Sequence, residues 1–300
     1  MFQARYREYQ PRPVLRPYVR ALFTFAQDFS HDAEPARVNR EIVTAAAESS
    51  WSAMFADSGV SVVFCFGEGY RIDGLWNPVR PSAHVIGPMT AFRTSFPGVG
   101  LLQVGAYLLP ETASFFLGVP GREIADRVVG LESLWTEARR IDEELAGCEN
   151  DSHRVAVVEA ALIRHLKPHR VPAIVDAARM MRESGRQTAV DSIAESIGIS
   201  RQLLGRRFRE QIGLSPKLYL RLHRFRKTLA SLGSESCLAD AAVAAGYFDQ
   251  SHMIKEFREF CGMTPAAIVR QAFSPVHWGL TNRSKALNEM ATRRGCRWMI

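Results

Sequence analysis

Two sets of hydrogen-bonding side chains at helical spacing are the residues of this chain that could do chemistry. The first is Arg201, Gln202, Arg206 and Arg209, with Gly205 among them; the second is Gln250, Ser251, His252, Lys255 and Arg258. Leu204 and Phe208, and likewise Met253 and Phe257, are spaced i, i+4 between them and supply an apolar stripe for burial. Faces of this kind recognise rather than make bonds: Arg, Gln, Ser and Lys read base edges or hold phosphates. The plainer alternative is a pair of solvated faces that touch nothing. One such helix would leave the two readings level, because a single helix-turn-helix pattern is weak.

The elements that must position these residues occur twice. SIAESIGISRQLLGRRFREQIGLSP runs from Ser192 to Pro216, and AAVAAGYFDQSHMIKEFREFCGMTP from Ala241 to Pro265. Phe208 and Phe257, Gly213 and Gly262, and Ser215-Pro216 and Thr264-Pro265 are each 49 residues apart, whereas Ala194 and Ala242, and Gly198 and Gly246, are 48 apart. The second copy therefore carries one extra residue between its glycine and its second helix. A repeat with a local slip is a duplicated supersecondary unit, which decides against two idle faces. In each copy a short helix ends at a glycine and a second starts on a cap, Ser200 or Asp249. Small Ala194 and Ala242 let the paired helices cross closely. Ser192 and Glu195 have capping-box spacing for the first short helix. Lys217–Ser231 reads as a long basic helix joining the copies, and Ile174–Arg182 as the helix that opens the region.

At these residues the chain resembles the AraC/XylS family of bacterial transcription regulators, over roughly Ile174 to Arg270, with GYFDQSHMIKEFREFCGMTP the most specific phrase. Tyr247 stands where the family usually has Phe, Ile254 where a small polar residue is common, and Gly205 where many relatives carry a base-contacting side chain. The resemblance implies a sequence-specific regulator whose helices Arg201–Gln211 and Gln250–Phe260 enter successive major grooves about 34 Å apart on somewhat bent DNA. By position and family pattern, the base readers are Gln202, Arg206, Gln250, Ser251 and Lys255, with His252 as a further candidate. Arg201, Arg209, Lys217 and Arg258 are the phosphate contacts.

Charge agrees with this reading. Residues 1–170 hold 18 Lys and Arg against 20 Asp and Glu, residues 171–273 hold 15 against 10, and residues 274–300 hold 5 against 1, so the net +7 sits on the repeat and on the tail beyond it. Three hundred residues at 47% hydrophobic and 23% charged suit a soluble chain of two domains. The expected boundaries are 1–170, 171–273 and a basic tail at 274–300. The fold class is α+β. The first domain reads as a small antiparallel β-barrel or sandwich: Ser61–Phe66, Tyr70-Arg71-Ile72, Ser82–Gly87, Ala91–Phe96 and Leu101–Leu109 are short strand-like pieces separated by Gly and Pro. Helices over Leu131–Leu145 and His153–Leu166 trail it. Val19 to Phe25 is a strand or a short helix, His31–Asn39 a polar loop. LRPYVRAL, HVIGPMT and VGAYLLPETASFFLGVP with LESLW resemble, more loosely, the cupin-like N-terminal domain of one branch of these regulators. Its middle stretch, Ala106–Glu111, lacks that branch's basic and glycine character, so the domain has either altered its ligand chemistry or binds none.

Catalytic patterns are not evident. There is no P-loop, nucleotide-binding glycine motif or nucleophile elbow. His84, His153, His165 and His169 lack metal-ligand spacing; His165 and His169 read as surface histidines near a domain linker, and Glu41, Glu48 and Asp57 as polar-face residues. Cys65, Cys148, Cys237, Cys261 and Cys296 form no CxxC pair and read as buried or reduced thiols. Cys65 in Phe-Cys-Phe and Cys148 in Gly-Cys-Glu lack the Pro-Cys-His setting of the repair methyltransferases fused to some relatives. No cofactor or metal is expected. Trp51, Phe55, Tyr70, Trp76, Phe92, Phe96 and Tyr107 are either barrel core or the lining of an effector pocket. Runs such as Val60–Phe66 are too short to span a bilayer, and the charged N-terminus MFQARYREYQ is not a signal peptide, so a cytoplasmic protein is expected. Double-stranded DNA is the expected partner; family analogy adds RNA polymerase, a small-molecule effector and a second copy of the chain. Two rival classes stay open: an enzyme that the repeat merely targets, and an adaptor whose duplicated helices bind protein. The operator and the choice between activation and repression stay open as well.

Overall fold

A strand whose side chains are apolar on both faces must lie between two layers, and Val60–Phe66 (β4) is such a strand. Its Val62 and Phe64 belong to one buried cluster and its Val63 and Cys65 to another, as the period of two along a strand requires. In the computed structural model, which describes residues 3–28, 52–75, 83–167, 172–183, 190–232, 242–243 and 245–270, β4 lies inside a six-stranded antiparallel sheet. The other members are β1 (Gln3–Tyr9), β2 (Val19–Asp28), β6 (His84–Ile86), β8 (Leu101–Leu108) and β9 (Val128–Gly130), in the order β1-β2-β8-β4-β6-β9. Val19 to Phe25, undecided from periodicity, is strand. Three short strands, β3 (Ser52–Met54), β5 (Tyr70–Ile72) and β7 (Arg93–Pro97), form a second antiparallel sheet in the order β3-β7-β5.

The first cluster is closed by helices. Phe116 and Leu117 come from α1 (Ser114–Leu117), Ile124 from α2 (Gly121–Ile124), Ile141 and Leu145 from α3 (Ala138–Ala146), and Val158 and Leu162 from α4 (Asp151–His165). The helix expected over Leu131–Leu145 starts later than that. A 3-10 turn at Leu131–Ser133 precedes it, and buried Trp135 donates its indole N–H to the Phe116 carbonyl at 3.0 Å, which holds the chain off the helical path before α3. The second cluster fills the space between the sheets with Phe23, Tyr107, Met54, Tyr70 and Ile72.

The third cluster belongs to α5 (Ala173–Glu183), α6 (Val190–Ser196), α7 (Arg201–Ile212), α8 (Pro216–Ser231), α9 (Gln250–Cys261) and α10 (Pro265–Arg270). Ser192 is not a cap: α6 already runs from Val190, whose side chain packs on the core, so the capping-box reading of Ser192 and Glu195 fails. His84 is fully buried and shares a hydrogen bond with the Tyr70 hydroxyl; the His165 ring stacks on Trp135 at 4.0 Å and so is not a free surface histidine. Among the described residues no helix is long and apolar enough to cross a membrane, and no cluster of His, Cys, Asp and Glu could hold a metal ion. His31–Asn39, Glu41, Glu48, Trp51, Trp76, His169, Cys237, Cys296 and the tail 274–300 lie outside the described residues.

Candidate nucleic-acid interface

Local chemistry sets both candidate reading helices. The Ser200 hydroxyl accepts the Leu203 N–H at 3.2 Å to start α7, and the Asp249 carboxylate accepts the His252 N–H at 2.7 Å to start α9. Each helix ends on a left-handed glycine, Gly213 at φ 85° and Gly262 at φ 73°. Leu204, Phe208 and Ile212 bury one face of α7; Met253, Phe257, Phe260 and Cys261 bury that of α9. Ala194 and Ala242, 2% and 1% exposed, belong to the core of the C-terminal helices.

The opposite faces repeat each other. Gln202, Arg206 and Arg209 on α7 and Ser251, Lys255 and Arg258 on α9 are all exposed and are matched pairwise at an offset of 49 residues. At about 100° per residue each trio spans one narrow stripe. Gln250 and Lys217 are exposed as well. Gly205 lies in the α7 stripe, and a side chain there would meet only the Arg209 guanidinium, at 3.7 Å. His252 departs from the stripe: its imidazole lies 3.6 Å from Glu256 and its ring meets Tyr247 edge-on at 5.5 Å. Arg201 is paired with Asp191 at 2.9 Å, and Arg209 donates to the Gly205 carbonyl at 3.3 Å.

The electrostatics separate two kinds of cation. On α8, Arg221 and Arg224 each donate to the Glu256 carboxylate at 2.7 Å, and Arg221 also reaches Glu259 at 2.6 Å. Glu256 is 1% exposed. The basic linking helix therefore spends much of its charge inside the protein, clamping α9. Among the described residues, Arg206, Lys255, Arg258 and Lys217 form no ion pair, and neither does Arg207, an exposed cation on the flank of α7 that neither position nor family pattern singled out. Only its place one residue beyond Arg206 could have pointed to it.

The N-terminal part holds both reading helices by their C-terminal ends. Gly121 at the start of α2 meets the turn of α7 backbone to backbone: a Cβ there would lie 2.4 Å from the Ile212 carbonyl carbon. The Ala56 N–H donates to the Phe260 carbonyl at 2.8 Å, and Phe92 packs over Gly262. Phe55 meets Phe225 edge-on at 6.5 Å within the third cluster. Phe55 and Phe92, considered as pocket lining, thus face the C-terminal helices, and Phe96 lies under the Arg71 guanidinium at 4.0 Å. Polar contacts complete the junction. Buried Glu111 accepts from Arg182 and, at 3.4 Å, from the Tyr219 hydroxyl, while the Gln211 amide donates to the Glu111 carbonyl at 3.1 Å. Asp57 pairs with Arg226 at 3.3 Å and so is no plain polar-face residue. Burial would raise the Asp57 pKa, but Arg226 and Arg20 hold it below the ordinary value. His223, 3.2 Å from the Ser58 hydroxyl, has its pKa pushed down to about 3, chiefly by burial.

A family model described as a helix-turn-helix domain matches residues 193–271. No curated protein matches the chain. Among solved structures, ToxT from Vibrio cholerae at 1.65 Å resolution is similar with a TM-score of 0.45 and 10% identity, covering 89% of this chain and 97% of that one. ToxT from the same organism with an unsaturated fatty acid bound is similar with a TM-score of 0.42 and 8% identity, covering 89% and 94%.

Proposed function

From the AraC-type helix-turn-helix domain at residues 193–271, we propose that the chain is a sequence-specific transcription regulator that reads two adjacent major-groove segments. The observation that carries this reading is the pair of matched stripes. The protein neutralises Arg182, Arg221, Arg224 and Arg226 internally, whereas Arg206, Lys255 and Arg258, on corresponding faces of two helices, have no ion pair among the described residues. Gln202, Arg206, Gln250, Ser251 and Lys255 read base edges, with His252 at the margin because Glu256 engages it. Arg209, Lys217 and Arg258 hold phosphates, and Arg201 does so on leaving Asp191. α8, of 16 residues and so about 24 Å long, sets the separation of the two reading helices.

The domain plan that goes with this function has three parts. Residues 1–170 form a sensing or dimerising domain whose two sheets are the walls of a cupin-like barrel, 171–273 bind DNA, and 274–300 is a basic tail. A small-molecule effector, a second copy of the chain and RNA polymerase are the further partners of this plan.

Selection from a random duplex library with the full-length protein, followed by salt-titrated affinity on the enriched sequence, tests the proposal. A bipartite site with elements about one turn apart and a log-log salt slope of several units is the expected result. Absence of enrichment would overturn it, and a flat salt dependence as well would favour a protein-binding adaptor.

A further inference from the structure

The second turn is longer than the first by one residue, and backbone hydrogen bonds locate the extra one. The Ile199 N–H donates to Ala194 O and the Tyr247 N–H to Ala242 O, both at 3.0 Å, so Tyr247 is the counterpart of Ile199. Ser200 follows Ile199 directly as the cap of α7, whereas Asp249, the cap of α9, follows Tyr247 only after Phe248. Phe248 is the residue without a counterpart. Tyr247 is 5% exposed and fills the core position, while Phe248 is 91% exposed, the most exposed large apolar side chain among the described residues.

Folding leaves that ring in water, forgoing the favourable burial of an aromatic side chain until a partner covers it. Its position says which partner. Phe248 stands just ahead of Asp249 and Gln250, at the N-terminal end of α9, the end by which a recognition helix approaches base edges. The exposed residues around it in the chain are Val243 and Asp249 and, along α9, Gln250, Ser251 and Lys255, so the side of it that continues into the reading stripe is polar and cationic, as suits nucleic acid. The one apolar feature that base pairs present in the major groove is the thymine 5-methyl group.

We infer that Phe248 is a specificity-determining residue that packs on the 5-methyl group of a thymine in the DNA element read by α9. The inference rests on the DNA-reading proposal above. It is tested with the full-length protein on its selected site, replacing each thymine of the second element in turn by deoxyuridine, which removes only the methyl group. One replacement should weaken wild-type binding about fourfold, the worth of one buried methyl. Phe248→Ala, which removes an exposed ring and should melt as the wild type does, should bind the unmodified site about as weakly and be indifferent to that replacement. A second element without thymine, equal deoxyuridine sensitivity in both proteins, or equal affinity of Phe248→Ala and wild type would overturn the inference; the last would give the ring to a protein partner. A chain that selects no sequence at all would overturn the DNA-reading proposal and this one with it, so the two failures are distinguishable.

Discussion

At the scale of single residues, what distinguishes one cation from another is whether the protein has already used it. Arg206 is exposed and forms no ion pair among the described residues, and Arg is the usual bidentate partner of guanine. Arg206→Ala should therefore cost about 1–3 kcal/mol on the selected site and relax the preference at one base pair. Arg258→Ala should weaken binding to all sequences alike and reduce the salt slope by about 1. Affinity measured on selected and random duplexes across a salt series separates the two; equal losses of Arg206→Ala on both duplexes would remove it from the base readers. Gly205 makes the opposite kind of prediction. Its missing side chain is not forced by crowding, since a Cβ would meet only Arg209 at 3.7 Å. Gly205→Ala should stabilise α7 by about 0.5–1 kcal/mol through helix propensity alone. A melting temperature about 2 °C higher would register it, and a lower one would show that the open space is not real.

At the scale of elements, the second reading helix is held differently from the first. Glu256 projects from α9 between two arginines of α8 and is almost wholly buried. Removing one partner of a buried ion pair costs about 3–5 kcal/mol. Here the Arg221 and Arg224 side chains each keep 26% exposure, and Arg221 retains Glu259, so Glu256→Ala should cost less, about 2–3 kcal/mol. Urea unfolding of the variant checks the figure. In the bound state the same change should blur the second element of the selected site more than the first, because only α9 loses its clamp.

At the scale of the whole molecule, the junction between the N-terminal part and the C-terminal helices is both close and polar. Gly121→Val would push its Cβ into the Ile212 backbone, where nothing flexible can yield. The wild type is expected to unfold in one calorimetric transition, and this variant in two, as the N-terminal part and the helices come apart. A single transition in the variant would mean that the polar contacts at Glu111 and Asp57 suffice to couple them. The partly buried His223 adds a pH dependence. Its folded pKa, lowered to about 3 by burial first and then by Arg182, Arg226 and Lys227 against the pull of Asp57, lies below the 6.5 of an ordinary histidine. Between those values the unfolded chain takes up a proton that the folded one refuses, so stability is full above pH 6.5 and falls as the pH drops. The loss from this group is at most about 1.4 kcal/mol per pH unit. Urea midpoints between pH 7 and pH 4 should show the decline, and His223→Asn should flatten it.

The duplicated pattern of caps, glycines and phenylalanines determined α7, α8 and α9, because these signals are local: a cap, a left-handed glycine and an i, i+4 stripe need only neighbouring residues. The strand pieces of the first half were legible for the same reason, as alternation and turn residues act within a few positions. Ser192 misled because Val190 found a place in the core and carried the helix past the capping signal. Three decisions belonged to tertiary structure. Lys217–Ser231 was legible only as a basic linking helix, and it is Glu256, more than 30 residues away in the chain, that turns its Arg221 and Arg224 inward. Phe55, Phe92 and Asp57 looked like features of the first domain, yet they meet α8, α9 and the turn after it. Nothing local linked Gly121 at the start of α2 to Gly213 after α7, whose backbones packing brings together. Each depends on which distant groups share a space, and a linear pattern of residues carries no term for that.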